Sequence, residues 1–124
     1  MDVTIGVIGL GNVGSGTLEI LAENGARIRE KLGFPLRVKA VCSRNAGLKK
    51  LPVFPAAVTR TTDWRDVVRD PEIDIVVELV GGTATAGHII EEALRQRKSV
   101  VTANKELMAV RGAELWGIAM ENGV

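Results

Sequence analysis

An α/β fold, a doubly wound and mainly parallel sheet with helices on both faces, is predicted by three features of the chain. Strand-like apolar runs alternate with segments of helical period, a β-branched run breaks into glycines at 9, 11 and 14, and the most apolar run spans Ile73–Val80. A run of that last kind reads as a strand buried on both faces. Such alternation implies right-handed crossovers between parallel strands, with ligands bound beyond their carboxyl ends near the switch in strand order.

The first strand carries Val3, Ile5, Val7 and Ile8 and runs into Gly9-Leu10-Gly11-Asn12-Val13-Gly14. Gly9 permits the tight turn, Gly11 lets backbone approach a pyrophosphate, and Gly14 allows the next helix to pack closely. That helix, with Leu18, Leu21, Ile28 and Leu32 near helical period, would offer its free N–H groups and partial positive charge to phosphates. A glycine turn that holds no nucleotide is the alternative; strand, turn and helix in the required order weigh against it.

Phe34-Pro35 marks a break, and Leu36–Cys42 reads as the second strand. A loop follows from Ser43 to Pro55, with Ala56–Thr59 as a short extended piece. Asp63 is placed to cap a short helix whose buried side is Val67 and Val68 and which Pro71 helps to stop. After the Ile73–Val80 strand and Gly81-Gly82, Thr83 or Thr85 can cap a helix with Ile89, Ile90, Ala93 and Leu94 on one side. Ser99–Thr102 is a short strand. Asn104 then opens a helical stretch through Leu107 and Met108 that resumes past Gly112 with Leu115, Ile118 and Met120 and stops at Asn122-Gly123. Gly9, Ser43, Gly81 and Ala103 all fall at strand carboxyl ends.

A length of 124 residues suits one domain, able to bury roughly two-thirds of its unfolded surface. With 16 basic against 15 acidic residues there is no global field to suggest nucleic acid or an acidic membrane. Four aromatic residues, Trp64, Trp116, Phe34 and Phe54, offer little for base stacking; both tryptophans read as packing groups. No apolar stretch approaches the ~20 residues that span a bilayer. Cys42 reads as a small core residue in a reducing compartment. The first strand begins at once, leaving no room for a leader, so a cytoplasmic protein is expected; Val124 follows a helix stop where another strand would begin, as in a chain that has been cut.

The cofactor form turns on the end of the second strand, where an acidic residue would hydrogen-bond an unphosphorylated ribose. Here the chain reads Ser43-Arg44-Asn45, and no Asp or Glu occurs between Glu30 and Asp63. Arg44 offers a planar fork of donors, Ser43 a hydroxyl and Lys49 or Lys50 further charge, which favours NADP while leaving NAD possible. The alternative is that these basic groups keep a loop in water. Lys105 follows a strand end, where an ammonium can orient a carbonyl oxygen or stabilise charge developing on it; a solvated first-turn lysine is the plain alternative. Glu78 is either a ligand-facing acid or, as favoured, a carboxylate paired with backbone donors. His88 has no Cys or His partner at metal spacing, which points to a surface or capping role and to no metal site.

Gly-Leu-Gly-Asn-Val-Gly-Ser-Gly at 9–16, Asp-Ile-Val-Val-Glu-Leu-Val-Gly-Gly at 74–82 and Val-Val-Thr-Ala-Asn-Lys-Glu-Leu-Met-Ala at 100–109 together resemble homoserine dehydrogenase. The likeness runs in order over essentially the whole chain and covers only that family's N-terminal Rossmann-type nucleotide-binding domain. It implies reversible reduction of aspartate 4-semialdehyde to homoserine with NADPH or NADH, on the route to threonine, methionine and isoleucine. It implies cofactor contacts at Leu10, Gly11, Asn12, Val13, Gly14, Arg44, Gly81 and Gly82, and a lysine at the cofactor–substrate junction at Lys105. With Gly9, Ser43, Thr83, Ala103 and Asn104 these form the expected site. Thr85 stands where the family commonly has a proline, and a capping threonine would serve the same helix start. The family's substrate-binding acids, second catalytic lysine and dimer surface belong to a C-terminal domain, so a homodimer is expected of the full-length enzyme and cofactor binding without turnover of this piece. Another amino-acid dehydrogenase on the same scaffold, or an NAD(P)-sensing module without chemistry, are the competing readings.

Overall fold

The structure is a computed structural model and describes residues 2–45 and 50–124. Its elements run β1 (Val3–Ile8), α1 (Asn12–Glu23), α2 (Gly25–Leu32), β2 (Leu36–Cys42), β3 (Thr59–Thr61), α3 (Arg65–Val68), β4 (Ile75–Glu78), α4 (Ala84–Arg95), β5 (Ser99–Thr102) and α5 (Lys105–Glu121). The five strands form one sheet in the order β3-β2-β1-β4-β5, every neighbouring pair parallel. The expected doubly wound sheet is therefore the fold.

Alternation along β1 divides the core, since successive side chains point to opposite faces. Ile5 and Val7 join Val38, Val41 and Val77 under Leu18 of α1, with Phe54 and Val58 of the β2–β3 loop packed alongside. Ile8 joins Ala40, Cys42 and Val76 under Val67 and Val68 of α3 and Ile89 and Ala93 of α4. A third cluster holds α4 to α5 through Ile90, Leu94, Leu107, Leu115 and Ile118. The amino end of the sheet is tied by Lys98, whose buried Nζ donates to the carbonyls of Asp70 and Ile73.

Several expectations about elements are corrected. The first helix is two, broken at Asn24, whose side-chain amide donates to the Ile20 carbonyl at 3.0 Å just ahead of Gly25. An asparagine that bonds back to the preceding turn, followed by glycine, is a poor continuation of a helix. The strand expected at Ala56–Thr59 forms instead at Thr59–Thr61, where it pairs with Ala40–Cys42. The long apolar run is a strand only over Ile75–Glu78, because its neighbour β5 offers four residues to pair with. Neither threonine hydroxyl caps α4: Thr83 precedes it with no side-chain cap bond, and Thr85 lies within it. Asp63 stands one residue ahead of the N-cap of α3, Trp64, and its Oδ1 accepts from the Arg65 N–H at 3.0 Å across that position.

Helix α5 runs unbroken through Gly112, since the packing of Leu107, Leu115 and Ile118 outweighs the ~1 kcal/mol helix cost of one glycine. Trp64 packs against the core as expected, with the Arg65 guanidinium 4.5 Å above its ring. Trp116 does not: it is 68% exposed on the outward side of α5. No helix among the described residues is long and apolar enough to cross a membrane.

Candidate functional site

The chain leaves β1 toward β2 and β3 on one side and returns to β4 and β5 on the other, so the crevice of the sheet opens between the carboxyl ends of β1 and β4. Gly9 sits there with φ +105°, and a Cβ on it would stand 2.7 Å from the carbonyl of Leu79. That strand end is closely paired: the Leu79 N–H donates to Ile8 O and the Gly9 N–H to Cys42 O, both at 2.8 Å. A Cβ on Gly14 would stand 1.9 Å from Gly9 O, so α1 rests directly on the turn. Around Gly11 the corresponding position is open to 4 Å.

The start of α1 carries no side-chain cap and no acidic residue in its first turn. The first backbone donor turned inward is Ser15, to Gly11 O at 2.8 Å, and the N–H groups before it in the helix have no intrahelical acceptor. An anion is the complement of such an end. Open space at Gly11 beside uncapped donors fits a pyrophosphate.

Across the crevice lies a cleft of about 320 Å³ that brings together Val13, Gly81, Gly82, Ala103, Asn104 and Lys105, with Leu79, Val80 and Glu106 completing it. Leu10 and Gly14 are buried beneath the turn and do not line the cleft. Asn12 and Gly11 are exposed on it. Thr83 is half-buried at the start of α4 and does not line the cleft. Glu106 went unnoticed in the sequence; an acid in the first turn of a helix beside Lys105 was the available signal.

Ser43 and Arg44 follow β2, on the other side of β1 from this cleft, as the two ends of an extended ligand require. Arg44 is exposed, while the Ser43 hydroxyl donates to Asn45 Oδ1 at 2.9 Å. Lys49 lies outside the described residues, and Lys50 lines a narrow crevice with Leu10, Ser15 and Glu19. Below the site the Cys42 thiol is buried, and desolvation, aided by the charges of Asp63 and Asp66, pushes its pKa up to about 11. It is a neutral core group at neutral pH.

Glu78 is fully buried, with Oε2 accepting from the Val80 N–H and Oε1 from the Thr102 hydroxyl, each at 2.7 Å. The paired reading holds, with one donor from backbone and one from a side chain. Trp64, Arg69, His88, Glu92 and Arg95 line a larger groove of about 600 Å³ between α3 and α4, which shares no residue with the cleft. Its charges are largely matched, Arg69 to Glu92 at 2.6 Å and Arg95 to Glu91 at 3.1 Å, and His88 is exposed there.

The sequence model of the homoserine dehydrogenase NAD-binding domain matches residues 9–124. The chain belongs to that family. It is 40% identical over 121 residues to the homoserine dehydrogenase of Bacillus subtilis, an alignment covering 98% of this chain and 28% of that protein. It superposes on the crystal structure of a homoserine dehydrogenase from Thiobacillus denitrificans with a TM-score of 0.87 and 40% identity, over 100% of this chain and 28% of that one. A hyperthermophilic archaeal homoserine dehydrogenase in complex with NADPH matches with a TM-score of 0.76 and 25% identity, over 100% of this chain and 42% of that one. The chain thus spans about 28% of the length of the Bacillus relative.

Proposed function

We propose that this chain is the dinucleotide-holding domain of a homoserine dehydrogenase, and that the complete polypeptide interconverts L-aspartate 4-semialdehyde and L-homoserine in threonine, methionine and isoleucine biosynthesis. One observation carries the reading: the uncapped start of α1, the Gly81-Gly82 turn and Asn104-Lys105 surround a single crevice at the switch point of the sheet. In this reading the Gly9–Gly14 turn and the first N–H groups of α1 hold the pyrophosphate. Gly81, Gly82, Ala103 and Asn104 flank the nicotinamide end.

The bound dinucleotide supplies or accepts the hydride. Lys105, in the first turn of α5 on the cleft wall, orients the substrate carbonyl and stabilises the negative charge that develops on its oxygen. Arg44 and Ser43 meet the adenosine ribose, and the guanidinium fork favours NADP over NAD. The NADPH held by the archaeal relative supports that choice of ligand. The substrate-binding acids, the second catalytic lysine and a homodimer interface are assigned to polypeptide outside these 124 residues, and the enzyme to the cytoplasm.

Paired titration of the chain with NADPH and NADH tests the reading. Saturable binding of both is expected, tighter for NADPH, and Arg44→Ala should weaken NADPH selectively by about tenfold, as loss of a charge-assisted contact does. Equal weakening of both nucleotides would remove Arg44 from the 2′-phosphate. Homoserine oxidation by the full-length protein tests the substrate; binding with no oxidation of any amino acid would favour a sensing module.

A further inference from the structure

Beneath the cleft a continuous series of hydrogen bonds joins the two turns that line it. Glu78 ends β4 and Thr102 ends β5, in register with each other. The Thr102 hydroxyl donates to Glu78 Oε1 at 2.7 Å and accepts from the Asn104 N–H at 3.0 Å. The other oxygen of Glu78 receives the Val80 N–H, in the strand end that leads to Gly81-Gly82. Asn104 closes the series: its Oδ1 accepts from the Leu107 N–H at 3.0 Å, and its Nδ2 donates to Gly82 O.

The backbone at Asn104 also turns sharply. With φ −83° and ψ 85°, and the Lys105 N–H donating to Ala103 O at 3.1 Å, it forms a three-residue turn immediately before the helix. Asn104 is held on both sides of that turn, by its own N–H and by both atoms of its side-chain amide. The direction in which α5 starts, and with it the position of Lys105, is set by these bonds. A buried carboxyl is a costly way to finish a strand that an apolar residue could finish, unless both of its oxygens meet donors. Here both of its donors serve the turns of the cleft.

We infer that Glu78 and Thr102 are positioning residues that hold the Gly81-Gly82 turn and Lys105 in register around the nicotinamide end of the dinucleotide. The inference rests on the reading proposed above. Neither residue lines the cleft, so each acts through the backbone of Val80, the cap at Asn104 and the Lys105 that follows.

The experiment uses the full-length protein carrying Thr102→Val, which keeps the shape and removes the hydroxyl, Thr102→Ser, which restores it, and Glu78→Gln, which keeps the shape but puts a donor in place of one of the two accepting oxygens. Affinities for NADPH and for 2′,5′-ADP, which lacks the nicotinamide half, are measured beside kcat and KM for homoserine. Thr102→Val and Glu78→Gln should bind 2′,5′-ADP within about twofold of wild type, yet lose about tenfold in NADPH affinity or kcat, with Thr102→Ser recovering most of the loss. Equal loss for both ligands, or no loss for either, would overturn the positioning role, and Glu78→Gln decides if Thr102→Val does not fold. Wild-type protein that binds neither ligand would instead overturn the dinucleotide reading, and this inference with it.

Discussion

At the scale of single residues, the site is built from absences as much as from groups. Gly14 has no room for a methyl, because a Cβ there would stand 1.9 Å from Gly9 O. Gly14→Ala should therefore push α1 off the turn, with a stability loss of about 1–3 kcal/mol in urea denaturation and weaker NADPH binding in the same preparation. Cys42 makes a contribution that depends on pH. Its folded pKa of about 11 lies above the ordinary 9.0, so the native state keeps a proton that the unfolded chain releases in between. Stability from this group is full below pH 9 and is lost as pH rises through 11. Comparing urea midpoints at pH 8 and pH 10.5 should show a larger fall for wild type than for Cys42→Ala.

At the scale of elements, α5 joins the site to the rest of the molecule. Its first turn carries Lys105 behind the Asn104 cap, and its inner side packs on α4 through Leu107, Leu115 and Ile118. Gly112 in its middle is not required by any contact: a Cβ there would lie 3.6 Å from the Met108 side chain, an ordinary packing distance. Gly112→Ala should raise stability by about 0.5–1 kcal/mol, read as a higher melting temperature, by removing freedom from the unfolded chain. The outward side of the helix behaves differently. Trp116 and Met120 are exposed, and Trp116→Ser should change the stability of these 124 residues by no more than about 0.5 kcal/mol in thermal melts.

At the scale of the whole molecule, one end of the sheet is built for ligand and the other for stability. The carboxyl ends of β1, β4 and β5 converge on the crevice, whereas the amino end is held by Lys98 and by the Lys39 ammonium, 2.6 Å from Asp70. A ligand that binds only the folded crevice must stabilise all of it. NADPH at about 100 times its Kd should add about 2.7 kcal/mol to unfolding, seen as a raised melting temperature. A melting temperature indifferent to saturating NADPH would contradict the assignment of the crevice.

The strands β1, β2 and β5, the glycine turn and the helix start at Asn104 were legible from residue order, because each depends on local chemistry: side-chain alternation, backbone freedom at glycine and a capping amide. The same local reasoning missed the break at Asn24 and the edge strand at Thr59–Thr61, where a bond back to Ile20 and pairing with β2 decided the outcome. Family membership was also carried by the order of residues, in three segments now placed on β1–α1, β4 and β5–α5. The backbone half of Glu78's pairing, to Val80 two residues on, was within reach of local reasoning; only the tertiary structure decided that its other oxygen goes to Thr102 and that Asn104 reaches Gly82, for these partners meet through parallel pairing of β4 and β5. Sequence determines what each residue can donate or accept; the crossover between strands determines which of them come within 3 Å.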